Sequence, residues 1–397
     1  MKLTKLAGFA AVAALLATPA FAQDVKLGFI GDVTGPIAGF APGMVKAGDL
    51  AIQNINDQGG ILNGGKLSEV LADTACTGDL GGPAGDRMVN TEKVTAIFGA
   101  FCSGPTIAAA NTAAIPGNVV MISPSATAPT VSTLKDNDLV FRNVVPDSVQ
   151  GVKGADLLLS KGIKKVAIAY QNGDYGKGLA DAFAAEFTAK GGTVAASLGH
   201  DDGKADYRPD VGQLEASGAD TLVIYGYENA GGGTILDQAI ESGTFKNYMG
   251  GDGMAGDALV KDHKNINGMI LTKAAAASGP AYDAFAALVK TIGLDPTSTY
   301  AANSYDDVFA LALAIEKNGS ADRAGLSKAL RDVATAPGET ILPGEWKKAV
   351  DLIKAGKDID YKGAAGDMEF DANGDVPGMI EWFTVDNDQV KDQGLIP

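Results

Sequence analysis

Histidine and cysteine are the scarcest reactive residues in this 397-residue chain, with two of each. His200 and His263 stand apart from the cysteines and from each other, so neither has the neighbours that a zinc site needs. No GxSxG elbow occurs, which removes the commonest hydrolase signature. Without the usual nucleophile and base pairs the chain is not expected to be an enzyme, and no cofactor or metal is expected. Positive charge is also short: 32 basic residues face 48 acidic ones, a net charge of −16. Approach to nucleic acid or to an anionic membrane surface is repulsive at that balance, which excludes both as partners.

Long apolar runs are missing after the N-terminus. There, Lys2 and Lys5 precede Leu6 to Leu16, and Ala20, Phe21 and Ala22 follow. The run is shorter than the roughly 20 residues of a membrane span. It has the form of a secretory signal peptide (1–22) with cleavage after Ala22, so export of a soluble product is expected. In an oxidising compartment the even pair Cys76 and Cys102 is expected to be bridged, two free thiols being the alternative.

What remains is too long for one core, since chains beyond ~250–300 residues divide. Short β-rich runs alternate with helical patterns, the signature of parallel sheets flanked by helices. The first series is "VKLGFIG", "KLSEVLAD", "VTAIFGA", "NVVMIS" and "DLVFRNVV", with helices expected near 42–58, 84–92 and 103–114. After Pro146 the rhythm restarts with "KKVAIAYQ", "GTVAASLG", "DTLVIYG" and "GMILTK". From about Ala274 the chain is mostly helical and is expected to end in a strand pair around "DANGD". A tail without a sheet of its own must pack on the earlier lobes, so the chain is expected to cross between them more than once.

Two motifs are decoys. "GDGMAG" (251–256) matches GxGxxG, but it lies outside the first βαβ unit, position 273 is lysine rather than an acid, and Asp252 would repel a pyrophosphate. "DANGDVPGMIEW" (371–382) begins like a calcium loop but has Val376 at the sixth position and Trp382 at the twelfth; a hairpin turn on Asn373 and Gly374 fits better.

Ligands of open α/β sheets bind beyond the carboxyl ends of the strands. At those ends Ser103 opens a helical stretch, either as a simple N-cap or as a donor to a carboxylate. Ser125 and Thr127 bring a carbonyl, a hydroxyl and an N–H. Asp252 lies on a glycine-flanked loop of the second unit. Anion donors on one lobe and an anion on the other suit a zwitterion with carboxylate and ammonium on one carbon.

At this point the chain resembles the periplasmic branched-chain amino-acid-binding proteins of ABC transporters, the leucine/isoleucine/valine type. The motifs are "GPIAGFAPGMVKAGDLAIQNINDQGGI", "FGAFCSGPT", "MISPSATAPT", "YGKGLA" and "YMGGDGMA", in that order over nearly all of the mature chain. The resemblance implies an α/β fold of two similar lobes, each a parallel-sheet sandwich, joined by a multi-crossover hinge: the type I periplasmic binding protein arrangement. It implies an N-terminal lobe of 23–145 plus 274–379 and a C-terminal lobe of 146–273 plus 380–397. Crossings are implied near Val145, Lys273 and Ile380. Ser103 and Thr127 match residues that hold the ligand carboxylate, Thr127 also touching the ammonium. Ser125 matches a position whose carbonyl accepts from the ammonium, and Asp252 the ammonium's acidic partner, one methylene shorter than the glutamate of some members. Phe40, Tyr175 and Tyr300 match aromatics around the ligand side chain; either Tyr227 or Glu228 takes a further tyrosine position. The segment 343–363 is an addition relative to shorter members.

The implied function is capture of an amino acid in the periplasm and delivery to a permease in the inner membrane, by a monomer. A polar or aromatic ligand (an amide, urea or an aromatic carboxylate) on the same fold is the alternative, as is a sensing subunit.

Overall fold

The computed structural model describes residues 22–256 and 258–397. The expected leader, apart from Ala22, lies outside the described residues. Five parallel strands form the first sheet: β1 (Val25–Gly31), β2 (Leu67–Asp73), β3 (Ala96–Gly99), β4 (Val120–Ser123) and β5 (Val140–Arg142), in the order β2-β1-β3-β4-β5. Central strands β3 and β4 are buried along their whole length, as parallel strands covered on both faces must be, whereas edge strand β2 alternates. Register places Phe29 opposite Phe98, whose rings meet edge to face at 4.7 Å.

The second sheet repeats the plan. Strands β6 (Lys165–Gln171), β7 (Thr193–His200), β8 (Thr221–Tyr225), β9 (Asn247–Gly250) and β10 (Ile270–Ala274) run parallel in the order β7-β6-β8-β9-β10. A small parallel pair, β11 (Glu339–Ile341) with β12 (Ile359–Tyr361), stands apart. The second sheet is then extended antiparallel by β13 (Ile380–Asp386) on β10 and β14 (Gln389–Leu395) on β13.

The helices between β10 and β13 cover the first sheet, with Ala301–Asn318 lying against Ala41–Asp57. The segment 343–363 is part of this packing. Trp346 is buried, its Nε1 donates to the Gly60 carbonyl at 3.0 Å, and the Tyr361 hydroxyl donates to Asp306 at 2.7 Å.

Two expectations are corrected. The closing strand pair is not built on "DANGD": the hairpin is β13–β14, turning at Asn387 and Asp388, both in the left-handed region. Residues 371–375 form a tight turn closed on itself, with the Asp371 carboxylate accepting from the N–H groups of Asn373 and Asp375. The helix expected at 84–92 starts earlier, at Gly78, and continues through Thr91. Its glycines look like loop residues in sequence but serve close packing: a Cβ on Gly81 would lie 2.6 Å from Pro105 of the neighbouring helix.

Candidate functional site

Each sheet has a switch point where strand order reverses, between β1 and β3 in one and between β6 and β8 in the other. Crevices at such points are where open α/β sheets bind ligands. The two face each other, and the segments following these strands meet there.

From the first lobe come Ile37, Phe40, Phe101, Cys102, Ser103 and Ser125; the second contributes Tyr175, Tyr227, Asp252 and Gly253, and Tyr300 completes the wall. Of the eight residues expected at the site, Thr127 alone is absent from this wall. It is buried just behind. Tyr227 faces the cavity, stacked on Tyr175 with centroids 5.1 Å apart. Glu228 does not line it; its N–H donates instead to the Gly253 carbonyl at 2.9 Å.

Asp252 is the focus. Its Oδ1 accepts from the Tyr175 hydroxyl at 2.8 Å and from Gln150 Nε2 at 3.1 Å, and its Oδ2 from the Tyr300 hydroxyl at 2.6 Å. The Tyr175 oxygen in turn accepts the Gly253 N–H at 2.9 Å. Burial first, and the neighbouring Asp252 carboxylate second, hold the Tyr175 and Tyr300 hydroxyls well above their ordinary range, so both remain donors.

Opposite, the loop after β4 is fixed from behind. Ser103 does not cap its helix; its hydroxyl accepts the Ala128 N–H at 3.1 Å, leaving its proton to give. The Ser125 hydroxyl donates to the Phe101 carbonyl at 2.7 Å, so that side chain is used within the protein. Arg142, fully buried, donates through Nη1 to the carbonyls of Ala126, Thr127 and Ala128 at 3.2, 2.8 and 2.9 Å. Its Nε pairs with Asp375 at 2.7 Å.

Asp32 holds the loop after β3. Its Oδ2 accepts from the N–H groups of Phe101 and Cys102 at 2.9 and 2.8 Å, and its Oδ1 from Cys76 N–H at 3.1 Å and from the Thr74 hydroxyl. Burial pushes Asp32 up to about 7 against these donors. Cys76 and Cys102 are joined, Cα atoms 5.4 Å apart, as expected. Closing a loop of that length stabilises the fold by about 3.5 kcal/mol in the chain-entropy model. Asp32, Arg142 and Gln150 were not singled out in the sequence. An arginine inside the apolar run "LVFRNVV" was the one available signal.

The cavity between these walls is small, about 20 Å³, room for a single water. A larger one of about 320 Å³ lies beside it, lined by Lys273, Ala274, Tyr282, Asn303, Met379 and Glu381 among others. Asp252 and Tyr300 border both, so their hydrogen bond stands on the partition. Among the described residues no cluster of histidine, cysteine or carboxylate side chains has metal-binding geometry, and no helix is long and apolar enough to cross a membrane.

Two α/β lobes that oppose hydroxyls on one side to a braced carboxylate on the other define a binding protein that encloses a small molecule in a cleft. The chain belongs to the periplasmic binding protein family, whose model matches residues 24–350. It is 30% identical over 83% of its length, and 88% of the relative's, to the leucine-, isoleucine-, valine-, threonine- and alanine-binding protein of Pseudomonas aeruginosa. It is 32% identical to Leu/Ile/Val-binding protein homolog 3 of Brucella melitensis over 84% and 89% of the two chains. The crystal structure of the branched-chain amino acid transporter substrate binding protein LivJ of Streptococcus pneumoniae, in complex with isoleucine, superposes with a TM-score of 0.77 at 25% identity, covering 94% of this chain and 99% of that one.

Proposed function

We propose that this protein is the extracytoplasmic solute-binding component of an ABC transporter, and that it captures a zwitterionic amino acid of the branched-chain or another small class. The observation that carries this reading is Asp252: a buried carboxylate gripped by Tyr175, Tyr300 and Gln150 and facing the hydroxyl-bearing loops of the other lobe. An ammonium supplies its countercharge, while the carboxylate on the same carbon meets Ser103 and, uncovered once the lobes part, Thr127, and the Ser125 carbonyl accepts from the ammonium. Phe40, Tyr175, Tyr227 and Tyr300 enclose the side chain.

The lobes, taken as 23–145 plus 274–379 and 146–273 plus 380–397, part to admit the ligand and close on it. Contacts from both lobes exist only when closed, so the ligand shifts the population towards that form. A cavity of 20 Å³ cannot hold an amino acid, so the lobes must part to admit one. The cleaved product acts as a monomer in the periplasm and docks on its permease in loaded form.

An amide, urea or an aromatic carboxylate fits less well. Such a ligand would use the Tyr175 and Tyr300 hydroxyls, which are already committed to Asp252, and would leave a buried carboxylate without a cation. Calorimetry of unfolded, stripped and refolded protein against amino acids, their carboxamides and aromatic carboxylates tests the reading. Heat is expected with free amino acids. Binding of an aromatic carboxylate with none of any amino acid refutes it.

A further inference from the structure

A buried carboxyl group behind the cleft takes no part in the contacts described so far. Asp147 opens the helix Asp147–Ser160, directly after the chain leaves the first sheet. It is fully buried, and the Thr127 hydroxyl is set against its carboxyl. Its N–H donates to the Thr127 carbonyl at 2.8 Å, which sets the two residues against each other, and its carboxyl faces the Thr127 hydroxyl. That hydroxyl is likewise buried, and the Asp147 carboxyl is the group beside it. One turn along the same helix, Gln150 braces Asp252.

No cation around Asp147 is free to pair with a negative charge on it. Arg142, whose field reaches it, is already committed: Nε to Asp375, Nη1 to three carbonyls and Nη2 to Ser132. The other ionisable groups in reach are Asp252, Tyr175, Tyr225, Tyr227 and Tyr300, none of them cationic. Burial, with the Asp252 charge second, holds Asp147 well above the ordinary carboxyl range. At neutral pH the group keeps its proton and can donate a hydrogen bond.

A threonine hydroxyl has one proton to give and can accept in return. If an ionised carboxylate took that proton, Thr127 would show the ligand's carboxylate only lone pairs. A neutral acid does the reverse. We propose that Asp147 is a positioning residue for ligand binding: as a carboxylic acid it donates to Thr127 Oγ1 and so commits the Thr127 proton to the ligand's carboxylate. No proton changes owner; the acid only orients a hydroxyl. The consequence is a stronger hold on an amino acid's charged carboxylate than on the neutral carbonyl oxygen of its carboxamide. This rests on the reading that Ser103 and Thr127 hold a carboxylate.

Two variants separate the possibilities. Asp147→Asn keeps an N–H donor; Asp147→Leu keeps the branched shape and removes the donor. Each is made alone and with Thr127→Val, and titrated with leucine and leucinamide by calorimetry, with melting curves to verify folding. Asn is expected to bind leucine within about threefold of wild type and Leu at least about tenfold more weakly, the loss of one hydrogen bond to charge. Leucinamide, whose carbonyl oxygen also accepts but carries no charge, should lose less than leucine, and in Thr127→Val the Leu substitution should add nothing. Wild-type affinity in Asp147→Leu, equal losses in Asn and Leu, or additivity with Thr127→Val overturns the proposal.

Should Asp147→Leu not fold, infrared spectroscopy decides. Ligand-free wild type is expected to show a neutral carboxylic-acid carbonyl band that Asp147→Asn lacks, and absence of that band overturns the proposal. If Ser103→Ala and Thr127→Val leave leucine binding unchanged, the carboxylate reading has failed. If they weaken it while the Asp147 variants do not, this inference alone has failed.

Discussion

Replacing Asp252 by asparagine tests the centre of the binding model with little change of shape. The amide oxygen can still accept from Gln150 and Tyr175, which approach Oδ1 at 3.1 and 2.8 Å, while at the Oδ2 position the amide NH2 donates to a turned Tyr300 hydroxyl. The empty cleft should therefore keep its geometry. The substitution also removes the charge that bears on buried Asp147, so the ligand-free protein is expected to melt no lower than wild type. Binding is another matter, because the ligand's ammonium would enter a buried site without a countercharge. Breaking a buried pair in this way costs about 3–5 kcal/mol, a loss of roughly 150- to 5000-fold in affinity. Calorimetry on stripped protein measures it, with a carboxylic acid lacking the amino group as control; its affinity should hold or rise. Amino-acid binding by Asp252→Asn within about threefold of wild type would falsify the zwitterion model.

Two further outcomes concern stability. Burial lowers His200 from 6.5 to about 4. The unfolded chain therefore binds more protons between those values, and stability present above about 6.5 is lost as pH falls to about 4. At 1.36 kcal/mol per pH unit the limb amounts to about 3 kcal/mol; in urea unfolding from pH 4 to 7, His200→Leu should lack it, and an unchanged slope refutes the assignment. Arg142→Met leaves Asp375 unpaired and releases three carbonyls of the site loop, for an expected loss of about 3–5 kcal/mol in chemical denaturation. A loss below about 1 kcal/mol would mean that the arginine does not brace the loop.

Much of the scaffold was legible because parallel strands buried on both faces must be apolar throughout. The runs around Phe29, Ile122, Ile168 and Val223 announce themselves for that reason. Gly81 and Gly85 misled because their reason is contact with Pro105 and Ala109 of another helix, which sequence neighbours do not reveal. "DANGD" carries a true turn signal, but its partner is the β5 segment, through Arg142 and Asp375, rather than two flanking strands.

The sequence by itself determined the two-sheet plan through local pattern, and the resemblance carried by its short motifs pointed to seven residues that line the wall. Tertiary structure decided what holds that wall. Gln150 reaches Asp252 across 102 positions and Tyr300 reaches it across 48; Asp32 reaches Cys102 across 70. It also moved Thr127 off the wall and placed Asp147 behind it. A buried polar group takes its role from the partners that replace water, and those partners are chosen by the fold rather than by the chain beside it.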